Sequence, residues 1–178
     1  ISREQRLARF VCTQSYYSLA GRELEREIIP LLQDQRLGLL VWSPLAGGFL
    51  SGKFTRNSSD EAGRRASFDF PPINKDRAYD IVDVQLRIAA AHGVSAAQVA
   101  LAWLLAQPVT TSVIIGARRI DQLEDNLKAV DVRLTADDLA ALDAVSRLTP
   151  EYPAWMTAAA SDDRLPGQER RFATTKKS

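Results

Sequence analysis

The sequence predicts an α/β fold built on a parallel sheet. Three short apolar or β-branched runs alternate with helical stretches, the order that βα units produce. The central run, Leu37 to Ser43, is apolar almost throughout, as a parallel strand covered on both faces is. The punctuation agrees, because Pro44, Gly93, Pro108 and Gly116 stand where runs and helical stretches end.

Taken in order, residues 1–9 are polar and helix-compatible, like the end of a helix. Phe10 to Gln14 reads as a buried strand. Gly21 opens a helix over Arg22 to Arg36, with Leu24, Ile28, Leu31 and Leu32 recurring on one face. Leu37 to Ser43 is the second strand, ended by Pro44. Residues 46–72, rich in Gly, Ser, Arg and Pro, read as a long loop, either functional or disordered.

A helix from Asn74 to His92 follows, closed by Gly93. Ser95 caps the next, Ala96 to Gln107, whose apolar face carries Trp103 into the core. Thr111 to Ile115 is the third strand. Residues 119–130 form a helix with Leu123 and Leu127 inward, and Thr135 caps another over 136–147. From Thr149 the chain reads as irregular, and beyond Ala158 as disordered. Three strands leave two open edges, which predicts further strands or self-association.

Composition narrows the function. The 178 residues include 46% hydrophobic and 25% charged, the balance of a globular protein. Net charge is +1, and no basic face gathers before Lys176 and Lys177, so nucleic acid is not an expected partner. No run approaches the roughly 20 apolar residues that span a bilayer, and the polar N-terminus is not a secretory signal. The single cysteine, Cys12, is expected as a reduced, buried thiol, and a cytoplasmic location follows as an expectation. No HxH, CxxC or HExxH pattern suggests a metal. The only methionine is Met156, so the sequence is expected to be part of a longer product.

Three segments fall at the strands' C-terminal ends, where parallel α/β sheets bind ligands. The first, Gln14-Ser15-Tyr16-Tyr17-Ser18-Leu19, offers a carboxamide that matches an amide on a ligand, or else a buried structural glutamine. The second runs from Trp42 through Ser43, Pro44, Leu45, Ala46, Gly47 and Gly48 to Lys53. It supplies an aromatic face, a flexible backbone that an anion can approach, and a point charge for phosphate. It is neither a GxGxxG nor a P-loop pattern. The third, Gly116-Ala117-Arg118-Arg119 to Asn126, puts Arg118 before a helix N-terminus, with Gln122 and Asn126 four apart on one face. That suits a phosphorylated nucleoside, or reads as a capped surface helix.

Together QxxYSL, WSPLxGGxLSGK and GAR…QLxxN resemble the strand-six, strand-seven and strand-eight signatures of the aldo-keto reductase family, over about residues 1–156. The branch is similar to the one that includes the potassium-channel β subunits. The resemblance implies the C-terminal part of a (β/α)8 TIM barrel, strands six to eight with their helices and the N-terminal half absent, followed by an irregular tail at 157–178. It also implies NADPH as cofactor and a small-molecule carbonyl as substrate. Gln14 would hold the nicotinamide carboxamide and Trp42 would stack on its ring. Ser43, Pro44, Leu45 and Gly47 would line the pyrophosphate, with Lys53 closing over it and Arg65 reaching the adenosine side. Gly116 and Arg118 would meet the 2′-phosphate, and Gln122, Asp125 and Asn126 would border the adenine.

The family's acid, a tyrosine tuned by lysine and aspartate with a histidine beside the substrate, lies on its first four strands. No catalytic residue is therefore expected here, and the only histidine, His92, sits at a helix C-terminus. The alternative is a non-catalytic nucleotide-binding or regulatory module of the β-subunit kind. Trp155 could cover the substrate or anchor the tail. The missing strands, or a second copy, are the expected partners of the open edges.

Overall fold

In a computed structural model describing residues 1–2, 4–56 and 68–156, three strands form one parallel sheet in the order β1-β2-β3. They are β1 (Cys12–Tyr16), β2 (Gly38–Trp42) and β3 (Thr110–Val113). The helices are α1 (Ile28–Gln35), α2 (Lys75–His92), α3 (Ala96–Leu105), α4 (Ile120–Leu127) and α5 (Ala136–Ser146). A 3-10 turn, Glu23–Glu25, precedes α1, another spans Ala46–Ser51 after β2, and a third, Lys128–Asp131, continues α4. The chain divides into two units, residues 1–147 and 148–178. In the second, Tyr152 and Trp155 meet edge to face at 6.2 Å.

Two of the helix caps, Ser95 and Thr135, are those the sequence predicts, and Asn74, expected as the first residue of its helix, is a third. Asn74, Ser95 and Thr135 accept the first free amides of α2, α3 and α5, and Thr135 with Asp138 completes a capping box. Gly93 closes α2 in the left-handed conformation. On β2, Leu39 and Val41 point into the core with Tyr17, Leu50, Ile81, Val99, Trp103 and Leu142. Gly38 is required where β3 bulges. A Cβ there would lie 2.8 Å from the Thr111 hydroxyl, which accepts the Leu39 amide instead of letting the ladder run straight.

Several expectations are corrected. The first strand begins two residues later than expected; Phe10 and Val11 are 84% and 77% exposed, and Cys12 is exposed too. β1 is an edge strand, so apolarity there does not imply burial. Residues 4–6 make turns rather than a helix end. The helix expected from Arg22 is broken into the 3-10 turn and α1, because Pro30 lacks the N–H that would bond back to Arg26. Leu32 is buried, but Ile28 and Leu31 are exposed. β3 starts and ends earlier than Thr111 to Ile115, α3 ends at Leu105, and Leu127 faces solvent where α4 tightens into 3-10 geometry. The tail expected as disordered beyond Ala158 lies outside the described residues.

One buried cation ties the loop after β1 to α5. Arg22, 7% exposed, meets Glu25 at 2.7 and 2.9 Å, Asp143 at 2.8 Å and the Ser146 hydroxyl at 2.7 Å, and lies 5.3 Å from the Trp103 ring. The Tyr17 hydroxyl donates to Glu25 at 2.6 Å; burial, then that hydrogen bond, pushes its pKa up. Burial alone would raise Asp143, but Arg147 and Arg22 outweigh it and hold its carboxyl below the ordinary value.

Replacing Arg22 with Met is expected to cost about 2–3 kcal/mol in urea unfolding, because charge-assisted bonds are lost and Glu25 and Asp143 lose their cation. The depressed Asp143 stabilises the fold fully above the ordinary carboxylate value, about 3.9, and less as pH falls below it. Asp143→Asn should flatten that acid limb, and an unchanged stability-pH curve would refute the assignment.

Candidate cofactor site

β1 and β2 pair with Gln14 opposite Leu40 and Tyr16 opposite Trp42. Side chains alternate along a strand, so Gln14, Tyr16, Leu40 and Trp42 share the sheet face opposite Leu39 and Val41. Gln14 is exposed on that face and Trp42 is half-buried. The Trp42 ring has two aromatic neighbours: Tyr16 tilted at 5.2 Å and Phe70 stacked at 5.7 Å, only 7° from parallel. A planar ring thus already finds this indole suitable. A ligand ring would use the remaining face or displace Phe70.

Immediately after Trp42 the backbone turns left-handed at Ser43, Ala46, Gly47 and Gly48, with φ of 50°, 49°, 66° and 95°. Two of these residues carry a Cβ, and such conformations gather at functional turns. The Ser43 hydroxyl accepts from the Gly47 amide at 3.1 Å, and the Ala46 and Gly48 amides donate to Ser43 and Leu45 carbonyls. These amides close the turn itself. An anion here would be met by the Ser43 hydroxyl hydrogen and by Lys53, which is exposed. Pro44 is buried and Leu45 half-buried against the core, which fixes the turn on its inner side. A Cβ added at Gly48 or at Gly116 would meet nothing within 4 Å, so both backbones stand open to an incoming group.

Past β3, two adjacent arginines differ. Arg119 forms a two-point pair with Asp121, at 3.0 and 2.5 Å. Arg118 is exposed, and its guanidinium has no hydrogen bond or ion pair among the described residues. Its backbone amide donates to the Gln122 carboxamide at 3.3 Å, which orients the segment at the start of α4. Asn126 is buried. Both Asp125 carboxylate oxygens are engaged, one by Ser95 at 2.7 Å and the other by Gln98 at 2.7 Å. Asp125 therefore works in helix packing, a role its place in the motif did not reveal. Arg65 lies outside the described residues.

The group that suits this arrangement is a phosphorylated dinucleotide. A half-buried indole, a hydroxyl and lysine beside an open glycine, and an unneutralised guanidinium match a ring, a bridging phosphate and a terminal phosphate. Among the described residues no three His, Cys, Asp or Glu side chains gather as a metal site, and His92 pairs with Asp138 at 2.8 Å. No single described helix is long and apolar enough to cross a membrane. Sequence reasoning missed Phe70, inside the expected loop, and Ala46, whose positive φ carries no compositional signal.

A parallel sheet of three strands alternating with helices is the architecture of the α/β proteins. Comparison with known proteins goes further: the sequence model of the aldo/keto reductase family matches residues 2–147, and the chain belongs to that family. It is 38% identical over 156 residues to an uncharacterized oxidoreductase, YrpG, of Bacillus subtilis, covering 85% of this chain and 46% of that protein. A probable voltage-gated potassium channel subunit beta of Arabidopsis thaliana is 35% identical, over 78% of this chain and 44% of its own length. Versiconal hemiacetal acetate reductase of Aspergillus parasiticus is 32% identical, over 76% and 40%. The chain spans somewhat under half the length of these relatives.

Gly21 tests how tightly the site is supported. A Cβ there would fall 2.2 Å from the Tyr16 ring, whose hydroxyl bonds Ser18 at 2.9 Å and whose face supports Trp42. Gly21→Ala should push the ring off Trp42 at a cost of about 1–3 kcal/mol, the usual range for overpacking. Near-ultraviolet circular dichroism and a thermal melt would report it. An unaltered aromatic spectrum would mean that Tyr16 is not held there.

Proposed function

We propose that this chain forms the cofactor-gripping side of an NADPH-dependent aldo/keto reductase, the last three strands of a (β/α)8 barrel. The observation that carries this reading is Arg118, whose guanidinium has no partner among the described residues, beside the open Gly116 at the end of the strand next to the Trp42 turn. A terminal phosphate on the ribose is the ligand group that gives that guanidinium a partner, and NADPH has it where NADH does not. The chemistry a bound NADPH would supply is hydride donation to a carbonyl carbon.

In this reading Gln14 donates to and accepts from the nicotinamide carboxamide, and Trp42 presents a flat face to the ring. Ser43 donates to the pyrophosphate, Leu45 and Gly47 shape the turn beneath it, and Lys53 and Arg65 add positive charge. Arg118 holds the 2′-phosphate, while Gln122 and Asn126 lie at the adenine edge. The site residues described here bind and orient; none supplies a proton to the developing alkoxide. Gripping the cofactor without contacts special to the transition state gives affinity and no acceleration. Strands bearing a proton donor, pairing with the open edges of β1 and β3, would complete the enzyme and admit its carbonyl substrate.

Titrating NADPH into the chain should quench tryptophan fluorescence saturably, and Trp42→Ala should remove most of that quench. Arg118→Ala should weaken NADPH by about tenfold or more, the worth of a charge-assisted pair, and leave NADH unchanged. Equal losses for both cofactors would overturn the 2′-phosphate assignment. With NADPH and a reactive aldehyde the chain alone should show no turnover, and steady oxidation of NADPH would refute that.

A further inference from the structure

We propose that two glutamines, Gln85 and Gln98, set the spacing between the turn after β2 and the Arg118 segment by bracing both to the first turn of α3. The inference rests on the cofactor reading above and deepens it. It makes Gln85 and Gln98 positioning residues that touch no ligand.

Gln85 lies on α2, fully buried. Its carboxamide nitrogen donates to the Leu50 carbonyl at 3.3 Å and to the Ala96 carbonyl at 3.0 Å. Two carbonyl acceptors leave one sensible orientation for the amide. Its Oε1 is then buried without a hydrogen-bond partner among the described residues. An unpaired buried carbonyl is a cost, and the two bonds made by the amide nitrogen offset it. What the glutamine provides is a fixed link from the end of the glycine-rich turn to the start of α3. Gly52 confirms the close approach, because a Cβ there would sit 3.0 Å from that of Ala96.

Gln98 lies two residues further along, still in the first turn of α3, and is 5% exposed. Its carboxamide donates to the Asp125 carboxylate at 2.7 Å and to the Asp125 carbonyl at 3.0 Å. Ser95, which caps α3 by accepting from the Gln98 amide, donates to the other carboxylate oxygen. Residues 95–98 thus hold α4, and with it Arg118, while Gln85 holds the turn to the same four residues. A ligand that bears two phosphate groups a fixed distance apart is recognised whole only if its two sites are fixed relative to each other. A ligand that fills one site has no such requirement.

The test compares NADPH with 2′-phosphoadenosine, which carries only the adenosine end. Gln85→Met keeps length and volume and removes the donor. It should weaken NADPH by about tenfold and change 2′-phosphoadenosine less than about twofold. Gln98→Met should weaken both ligands, since it frees Asp125 and α4. A Gln85→Met chain that binds NADPH normally, or loses both ligands equally, overturns the proposal. Should the wild-type chain bind neither ligand, the cofactor reading fails, and amide exchange still decides the bracing. Gln85→Met should then speed exchange in residues 46–52 only, and Gln98→Met in 120–127 only. Uniform or absent change in both variants would sink it.

Discussion

Helix α3 has no solvent face from Ala96 to Leu104, and the rest of the fold is arranged to cover it. A helix apolar on every side must be packed on every side. Here the turn after β2, β3, α2, α4 and the 3-10 turn behind α4 all pack against it. Trp103 reaches Tyr17 at 5.4 Å and lies under the Arg22 guanidinium, which carries the contact on to α5. The turn after β2 and the segment around Arg118 are therefore mounted on one buried rod, while Gln14 and Trp42 stand on the sheet beside it. Rigid mounting is what a site needs if it is to present a ring contact and two anion contacts at set distances.

The buried polar groups around that rod divide by what they do. Arg22 is matched by two carboxylates and a hydroxyl, a satisfied network that closes the loop after β1 onto the last helix. Gln98 and Ser95 saturate Asp125. Gln85 and Thr110 each leave an oxygen unpaired among the described residues, and of the two Gln85 bonds the glycine-rich turn. Strain collects in the same neighbourhood, with Ser43 and Ala46 left-handed despite their Cβ atoms. Part of the unmet polarity and of the backbone strain thus falls beside the Trp42 turn, while Thr110 and the left-handed Arg36 at the end of α1 lie elsewhere.

The sheet is covered on one side and open at both edges. Leu39 and Val41 are wholly buried against helices, yet Phe10 and Val11 just before the edge strand, and Ile114 after β3, stand in solvent. The chain spans under half the relatives' length, and in the barrel proposed above further strands would cover these apolar edges.

Local chemistry was legible in the sequence: the caps at Ser95 and Thr135, the glycine that closes α2, the parallel order of the strands and the motif order that marks the family. Each depends on residues a few positions apart, so a linear reading captures it. The alternation that put Trp42 at a strand end and Arg118 ahead of a helix was readable for the same reason. Burial was not. Cys12 and Phe10 are apolar and look internal, but burial depends on whether a neighbouring strand exists. The break before α1 followed from Pro30 and could have been read. The engagement of Asp125, the stacking of Phe70 on Trp42 and the orphaned oxygen of Gln85 could not. They join residues 27 to 35 positions apart, and only the tertiary packing decides that those groups meet.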